Sequence, residues 1–213
     1  MGEKLLIIGP SWVGDMVMLH SLIKTLKQNS RNLIIDVVAP RWSAPVVGRM
    51  PEASEVLVLD TRHGKFDFFK RVEFARKLKA RAYTKAIVIP RSFKSALVPF
   101  LAKIPLRTGF LGEMRYFLLN DIRELDKNVL SQTVTKMLAL GLNPSSKLPR
   151  TVPYPVLSIK PDKQKELKEK FNIKESKRIL GIMPGAEYGP AKQWPLEYFA
   201  KVAQKALEKN TRF

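Results

Sequence analysis

The residues best suited to chemistry fall in two short segments, each placed after an apolar run and before a helical pattern. The first is Gly9-Pro10-Ser11-Trp12-Val13-Gly14-Asp15. An aspartate there can act as a general base on a hydroxyl, and Gly14 lets a substrate approach the backbone closely. The same aspartate can instead cap the helix that follows. Serine at position 11 breaks a G-x-G-x-x-G dinucleotide fingerprint, and no Gly-Lys-Ser/Thr follows to make a phosphate-binding P-loop. The second segment spans residues 184–195, PGAEYGPAKQWP. Lys192 puts a full charge just ahead of a helix N-terminus that begins at Pro195, where free N–H groups and the helix dipole favour a phosphate or diphosphate. Gly185 and Gly189 allow close backbone approach, and Glu187 can hold a hydroxyl or orient the lysine. The alternative is an ordinary loop whose Trp194 packs in a core.

Further basic residues accompany these segments. Arg91 and Lys94 flank the start of a helix pattern and can bind a carboxylate or phosphate, or simply face water. Residues 107–121 carry Arg107 and Arg115 around Gly109 and Gly112, which reads as a loop that meets a ligand, although Glu113 and Arg115 can also pair with each other. The two histidines, His20 and His63, stand alone and read as structural. There is no cysteine, which excludes disulfides and thiolate metal sites. With only two histidines, no metal site is expected.

Four runs, at 5–9, 33–39, 55–59 and 86–89, have the apolar character of buried strands. Helical patterns start at Asp15, with Met16, Leu19, Leu22, Ile23 and Leu26 on one face, and recur at 66–81, 92–101 and 129–140. Strands that are apolar throughout, alternating with helices, indicate a parallel sheet covered on both faces. The expected fold is therefore α/β, a doubly wound Rossmann-like domain that binds ligands outside the carboxyl ends of its strands. That domain covers residues 1–143. Residues 144–157 hold four prolines and read as a linker. From 158 to 213 a second α/β domain begins, with a helix at 161–171, a strand at 178–183, a helix at 195–209 and the start of another strand at 211–213.

The net charge is +19, from 38 lysines and arginines against 19 acids. Such a surface favours anionic partners. Without a zinc-finger pattern or an aromatic RNP-type strand, nucleic acid is not the expected one. Positive charge is densest over 61–85, with nine lysines and arginines against Asp67 and Glu73. Phe66, Phe69, Val72 and Leu78 give that stretch an apolar face. It can lie on an anionic membrane surface or cover the sheet with its lysines in solvent. No apolar run reaches the roughly 18 residues of a membrane span, and no signal-peptide pattern opens the chain, so a cytoplasmic location is expected.

Four segments taken together, LLIIGPSWVGDMVM, RSFKSALVPF, RTGFLGEMRYFLLND and PGAEYGPAKQWP, resemble the ADP-heptose:lipopolysaccharide heptosyltransferases of glycosyltransferase family 9. They occur in the family's order across almost the whole chain. The resemblance implies a GT-B fold with an acceptor-binding N-terminal domain and a nucleotide-sugar domain after it. It implies transfer of L-glycero-D-manno-heptose from ADP-heptose, with inversion and without a cofactor, to the first heptose of the Kdo-lipid A inner core. By the same resemblance Asp15 is the catalytic base, and Lys192, Glu187 and Gly185 hold the donor diphosphate. Ser11, Trp12, Gly14, Arg91, Lys94, Arg107 and Arg115 then meet the acceptor, heptosyl-Kdo-lipid A, with peripheral contact to the anionic cytoplasmic face of the inner membrane. The family's later Asp-Ser-Gly-x-x-His motif does not occur before Phe213. The donor domain is therefore expected to be truncated and the chain alone to turn over poorly, with a non-catalytic fragment as the alternative reading.

Overall fold

The computed structural model describes residues 3–61, 66–173, 179–186 and 189–208. Its strands are β1 (Lys4–Ile8), β2 (Ile34–Ala39), β3 (Glu55–Val58), β4 (Lys85–Val88), β5 (Leu106–Phe110) and β6 (Asp121–Arg123). Between and after them come α1 (Val13–Asn29), α2 (Ala44–Val47), α3 (Phe68–Lys79), α4 (Phe93–Leu101) and α5 (Thr133–Gly141). The sheet order is β3-β2-β1-β4-β5-β6, and every neighbouring pair is parallel. This is the doubly wound arrangement, with the order reversing between β1 and β4.

Strand side chains alternate between the two faces, and two cores result. Leu5 and Ile7 of β1 pack with Leu19, Leu22 and Ile23 of α1 and with Leu138 of α5. Leu6 and Ile8 pack on the other face with Ala75 and Leu78 of α3 and Ala96 and Leu97 of α4. The α1 face expected from spacing is the buried one. The α3 face differs from expectation. Its buried residues are Arg71, Ala75 and Leu78, whereas Phe69 is 85% exposed. A helical rotation that seats Leu78 and Ala75 on the sheet carries Phe69 into solvent and Arg71 inward.

Residues 107–121 are more than a loop. Arg107, Thr108 and Gly109 lie within β5, which pairs with β4 and β6. Their polar character hides the strand from a hydrophobic pattern. Thr108 is nevertheless fully buried, its hydroxyl satisfied by Asp121 Oδ2 at 2.8 Å. Toward the amino end of the sheet, Tyr83 donates its hydroxyl to buried Asp36 at 2.6 Å, with Lys4 and Arg81 nearby. Burial, and then this bond, push the Tyr83 phenol above its ordinary pKa.

Contacts divide the chain into Met1–Ser158 and Ile159–Phe213. Residues 144–157 form neither helix nor strand and run along the first unit. Leu148, Val152 and Leu157 pack on its core, and Lys24 Nζ donates to Tyr154 O at 3.0 Å. His20 helps hold this strap. Its Nδ1 accepts from Val156 N–H at 3.1 Å, so its proton resides on Nε2, 2.6 Å from Glu52 Oε2. That is the structural role its isolation in the sequence implied.

The second unit holds α6 (Pro161–Lys170), a 3-10 turn at Pro190–Lys192 and α7 (Leu196–Glu208). Neither of its helices has a buried residue. The strand expected at 178–183 does not form over its described part, 179–183. A strand exists only through hydrogen bonds to a neighbour, and no described residue of this unit supplies one. Arg178 and the strand start expected at 211–213 lie outside the described residues, as does His63.

Gly9 leaves no room for a side chain. A Cβ there would meet Val38 O at 2.9 Å and Met16 Cε at 2.8 Å. Gly9→Ala is expected to lower unfolding free energy in urea by about 1–3 kcal/mol. Gly14→Ala, whose Cβ would meet nothing within 4 Å, should stay within about 0.5 kcal/mol of the parent.

Candidate functional site

The β1 and β4 carboxyl ends diverge where the sheet order reverses, and the loops that follow them line a cleft. The β1–α1 loop is fixed at both ends. Gly9 N–H donates to Val38 O at 2.9 Å, and the Trp42 indole donates to Ser11 O at 2.7 Å. Trp12, in extended backbone, occupies the N-cap of α1, and Met16 N–H closes the first helical bond on Trp12 O at 2.9 Å. Asp15 is thus the third helical residue and not the cap. Its side chain makes no hydrogen bond or ion pair with any described residue. Instead it lines a cavity of about 400 Å³ together with Ser11, Trp12, Arg91 and Lys136. A carboxylate flanked by two cations and a hydroxyl, at the rim of a Rossmann-type sheet, suits a polyhydroxylated ligand that must surrender a proton.

The β4–α4 loop is shaped from beneath. Arg115 is wholly buried. Its Nη1 donates to Pro90 O at 2.6 Å and Ser92 O at 3.1 Å, and its Nη2 to Phe110 O at 2.5 Å. Burial, reinforced by the charge of Arg91, pulls the guanidinium down to about 10. Glu113, for which pairing with Arg115 was the alternative reading, accepts from Phe93 N–H at 2.7 Å, a carboxylate at the N-terminus of α4 where the dipole favours it. Gly112 lies against Arg91, since a Cβ would meet Arg91 O at 2.6 Å. Arg107 lies on the amino side of β5, donating to Leu118 O at 2.8 Å and Ile104 O at 2.6 Å. Neither Arg107 nor Arg115 lines the Asp15 cavity; both donate to carbonyls of the surrounding turns. Guanidinium groups satisfy the irregular carbonyls of these turns, a task that their sequence context does not reveal.

Arg91 and Lys94, neighbours in sequence, serve different cavities. Arg91 lines the Asp15 cavity and donates Nε–H to Leu111 O at 3.2 Å. Lys94 lines a second one of about 160 Å³, together with Thr61 and Arg71. Ser11 and Pro90 border both cavities. Two residues here escaped the sequence reading. Lys136 stands on a helix whose pattern was legible but whose facing is set by packing on α1. Arg71 was one cation among many in a basic stretch.

In the second unit, Lys192 is exposed in the 3-10 turn that leads to α7. Gly189 adopts a φ of +64° at its start, a conformation that favours glycine. Gln193 Nε2 donates to Ala186 O at 3.1 Å and folds the loop back on itself. Gly185 is open, with nothing within 4 Å of an added Cβ. Trp194 is half exposed and stacks on Tyr198 at 5.4 Å, packing on its own helix instead of in a core. Glu187 lies outside the described residues.

Sheet order, rim carboxylate and surrounding cations define a Rossmann-type domain with a ligand-sized cleft at its switch point. A profile of glycosyltransferase family 9 (heptosyltransferase) matches residues 71–213. Lipopolysaccharide heptosyltransferase 2 of Escherichia coli (strain K12) is 41% identical over 212 residues, covering 97% of this chain and 61% of that protein. Lipooligosaccharide heptosyltransferase 2 of Haemophilus ducreyi is 42% identical over 215 residues, covering 97% and 61%. The structure of E. coli ADP-heptose LPS heptosyltransferase II superposes with a TM-score of 0.88 at 39% identity, over 97% of this chain and 62% of that one. E. coli heptosyltransferase WaaC with ADP-2-deoxy-2-fluoro heptose, at 15% identity and a TM-score of 0.72, shares the fold alone. The chain belongs to glycosyltransferase family 9, and its α/β fold is of the GT-B type, with the six-stranded sheet as the Rossmann-like N-terminal domain. It spans 61% of the length of these curated relatives.

Arg115→Lys is expected to cost about 2–4 kcal/mol in denaturant unfolding, because one ammonium cannot reach carbonyls on both sides. Arg91→Lys, exposed and with a single bond, should cost no more than about 0.5 kcal/mol.

Proposed function

We propose that the chain carries the acceptor half of an inverting heptosyltransferase, which takes L-glycero-D-manno-heptose from ADP-heptose and adds it to the first heptose of the Kdo-lipid A inner core. The single observation that carries this reading is the Asp15 carboxylate, unpaired among described residues and lining the cavity at the carboxyl ends of β1 and β4. Such a group accepts the proton of an attacking sugar hydroxyl late in the transfer. Attack on the anomeric carbon from the face opposite ADP then inverts its configuration, as water does in inverting hydrolases. Ser11, Trp12 and Arg91 line the same cavity, with Gly14 beside Asp15 on the first turn, and they orient the acceptor heptose. Residues 158–213 begin the donor domain and 144–157 link it to the first. There Lys192 and the N-terminus of α7 stabilise the charge growing on the departing diphosphate, with Gly185 and Glu187 on the same loop. The relatives' names support this assignment: each is a heptosyltransferase 2 acting in lipopolysaccharide or lipooligosaccharide synthesis.

The reading includes a place of work, the cytoplasmic face of the inner membrane. Among the described residues no helix is long and apolar enough to cross a membrane. Phe66 stacks on Phe68 and Phe93 at 6.1 and 6.4 Å, and Phe69 and Phe117 are more than four-fifths exposed. Aromatic rings among the lysines and arginines of α3 suit peripheral docking on anionic lipid.

Transfer is to be assayed with the chain joined to the C-terminal segment of the E. coli relative that it does not span. Asp15→Asn should lower kcat by roughly 10²–10⁴-fold while leaving ADP-heptose affinity unchanged; undiminished transfer would remove Asp15 from the mechanism. For the surface, a Phe69→Ser, Phe117→Ser variant is expected to lose most of its cosedimentation with vesicles containing anionic phospholipid. Neutral vesicles should bind neither protein.

A further inference from the structure

Arg71 is 6% exposed, and its hydrogen-bond partners among the described residues are neutral. Its Nε donates to Phe66 O at 2.8 Å, its Nη1 to Lys94 O at 3.2 Å and its Nη2 to Thr61 Oγ1 at a long 3.4 Å. Among the described residues no carboxylate lies within 4 Å of it. Other buried charges in the first unit are answered differently. Asp36 has Tyr83, Lys4 and Arg81, and Arg115 is closed in by carbonyls. Arg71 alone among these opens on a cavity. Burying a cation without a hydrogen-bonded counter-charge is costly; burial depresses the guanidinium's pKa, and the charge of Asp67 offsets this only in part.

That cavity lies over the carboxyl ends of β1 to β4, where Ile8, Ala39, Leu59 and Pro90 form its walls. Among the described residues its ionisable lining groups are Arg71 and Lys94. The nearby Asp60 is already held by Arg41 at 3.1 Å on the surface. Arginine has more N–H donors than Arg71's three contacts use, and its terminal nitrogens form a fork matched to paired oxygens. A volume of about 160 Å³ leaves room for a phosphate or carboxylate group.

We propose that this cavity is an oxyanion subsite, in which Arg71 and Lys94 take a carboxylate or phosphate borne by the acceptor glycan. It shares Ser11 and Pro90 with the Asp15 cavity. An anion seated on Arg71 therefore sets which hydroxyl of the same glycan reaches Asp15. The identity of the glycan rests on the function proposed above; the anion site itself rests on the cavity and its buried cation.

The test is isothermal titration calorimetry on the whole chain with four probes: inorganic phosphate, a heptosyl-Kdo oligosaccharide with free carboxylates, its methyl ester, and the ester carrying a phosphate on heptose. Arg71→Met is expected to weaken inorganic phosphate and at least one charged glycan by about tenfold to hundredfold, and the neutral ester not at all. Loss on the free-carboxylate glycan names Kdo as the source of the anion, and loss on the phosphorylated ester names the heptose phosphate. Arg71 also braces Phe66 and Lys94, so Lys94→Met serves as a second variant, with the same selectivity at a severalfold loss. If glycans fail to bind while phosphate binds through Arg71, the acceptor assignment falls and the subsite stands. Equal weakening on the neutral ester, or phosphate binding unchanged in both variants, overturns the subsite.

Discussion

β1 is held between β2 and β4, with Leu5 opposite Ile35 on one side and Lys85 on the other. The strands on its two sides feed helices that cover opposite faces of the sheet. This one parallel pairing of β1 with β4 opens the crevice on which the site depends, because the two chains leave their strands in different directions and nothing in the sheet fills the gap. Both cavities are lined by residues following β1 and β4. Displacing either strand by one position would exchange the faces of its side chains and re-aim Asp15 together with the core.

Much of the cleft's shape comes from charge buried beneath it. Arg115 gathers the carbonyls of Pro90, Ser92 and Phe110, which a turn without regular partners would leave unsatisfied. Glu113 takes the free N–H at the start of α4. The two work back to back in one turn, in which Glu113 and Met114 adopt positive φ. Such strain persists where surrounding contacts over-determine it. Arg71 contrasts with them, since its donors are only partly used and its charge faces a cavity instead of a wall.

The large positive charge therefore divides into parts with different work. Arg107 and Arg115 brace turns. Arg91, Lys94, Lys136 and Arg71 line the two cavities. The remaining cations of α3 lie in solvent beside exposed phenylalanines. A total of +19 predicts attraction to anions in general; only their placement distinguishes a strut from a binding group.

The class of fold, the helix face of α1 and the carboxylate at the end of the first strand were legible in the sequence by itself, because each is local. Apolar runs, a 3.6-residue period and a strand-turn-helix break are written in neighbouring residues. β5 and β6 were not legible, since Arg107, Thr108 and Gly109 become strand only when β4 and Asp121 satisfy them. Nor was the unformed strand at 179–183, whose apolar sequence lacks a described partner. Assigning the arginines required tertiary structure for the same reason: Arg71, Arg91, Arg107 and Arg115 are chemically alike. Only the packing of distant segments determines which guanidinium spends its donors on carbonyls and which keeps some for a ligand.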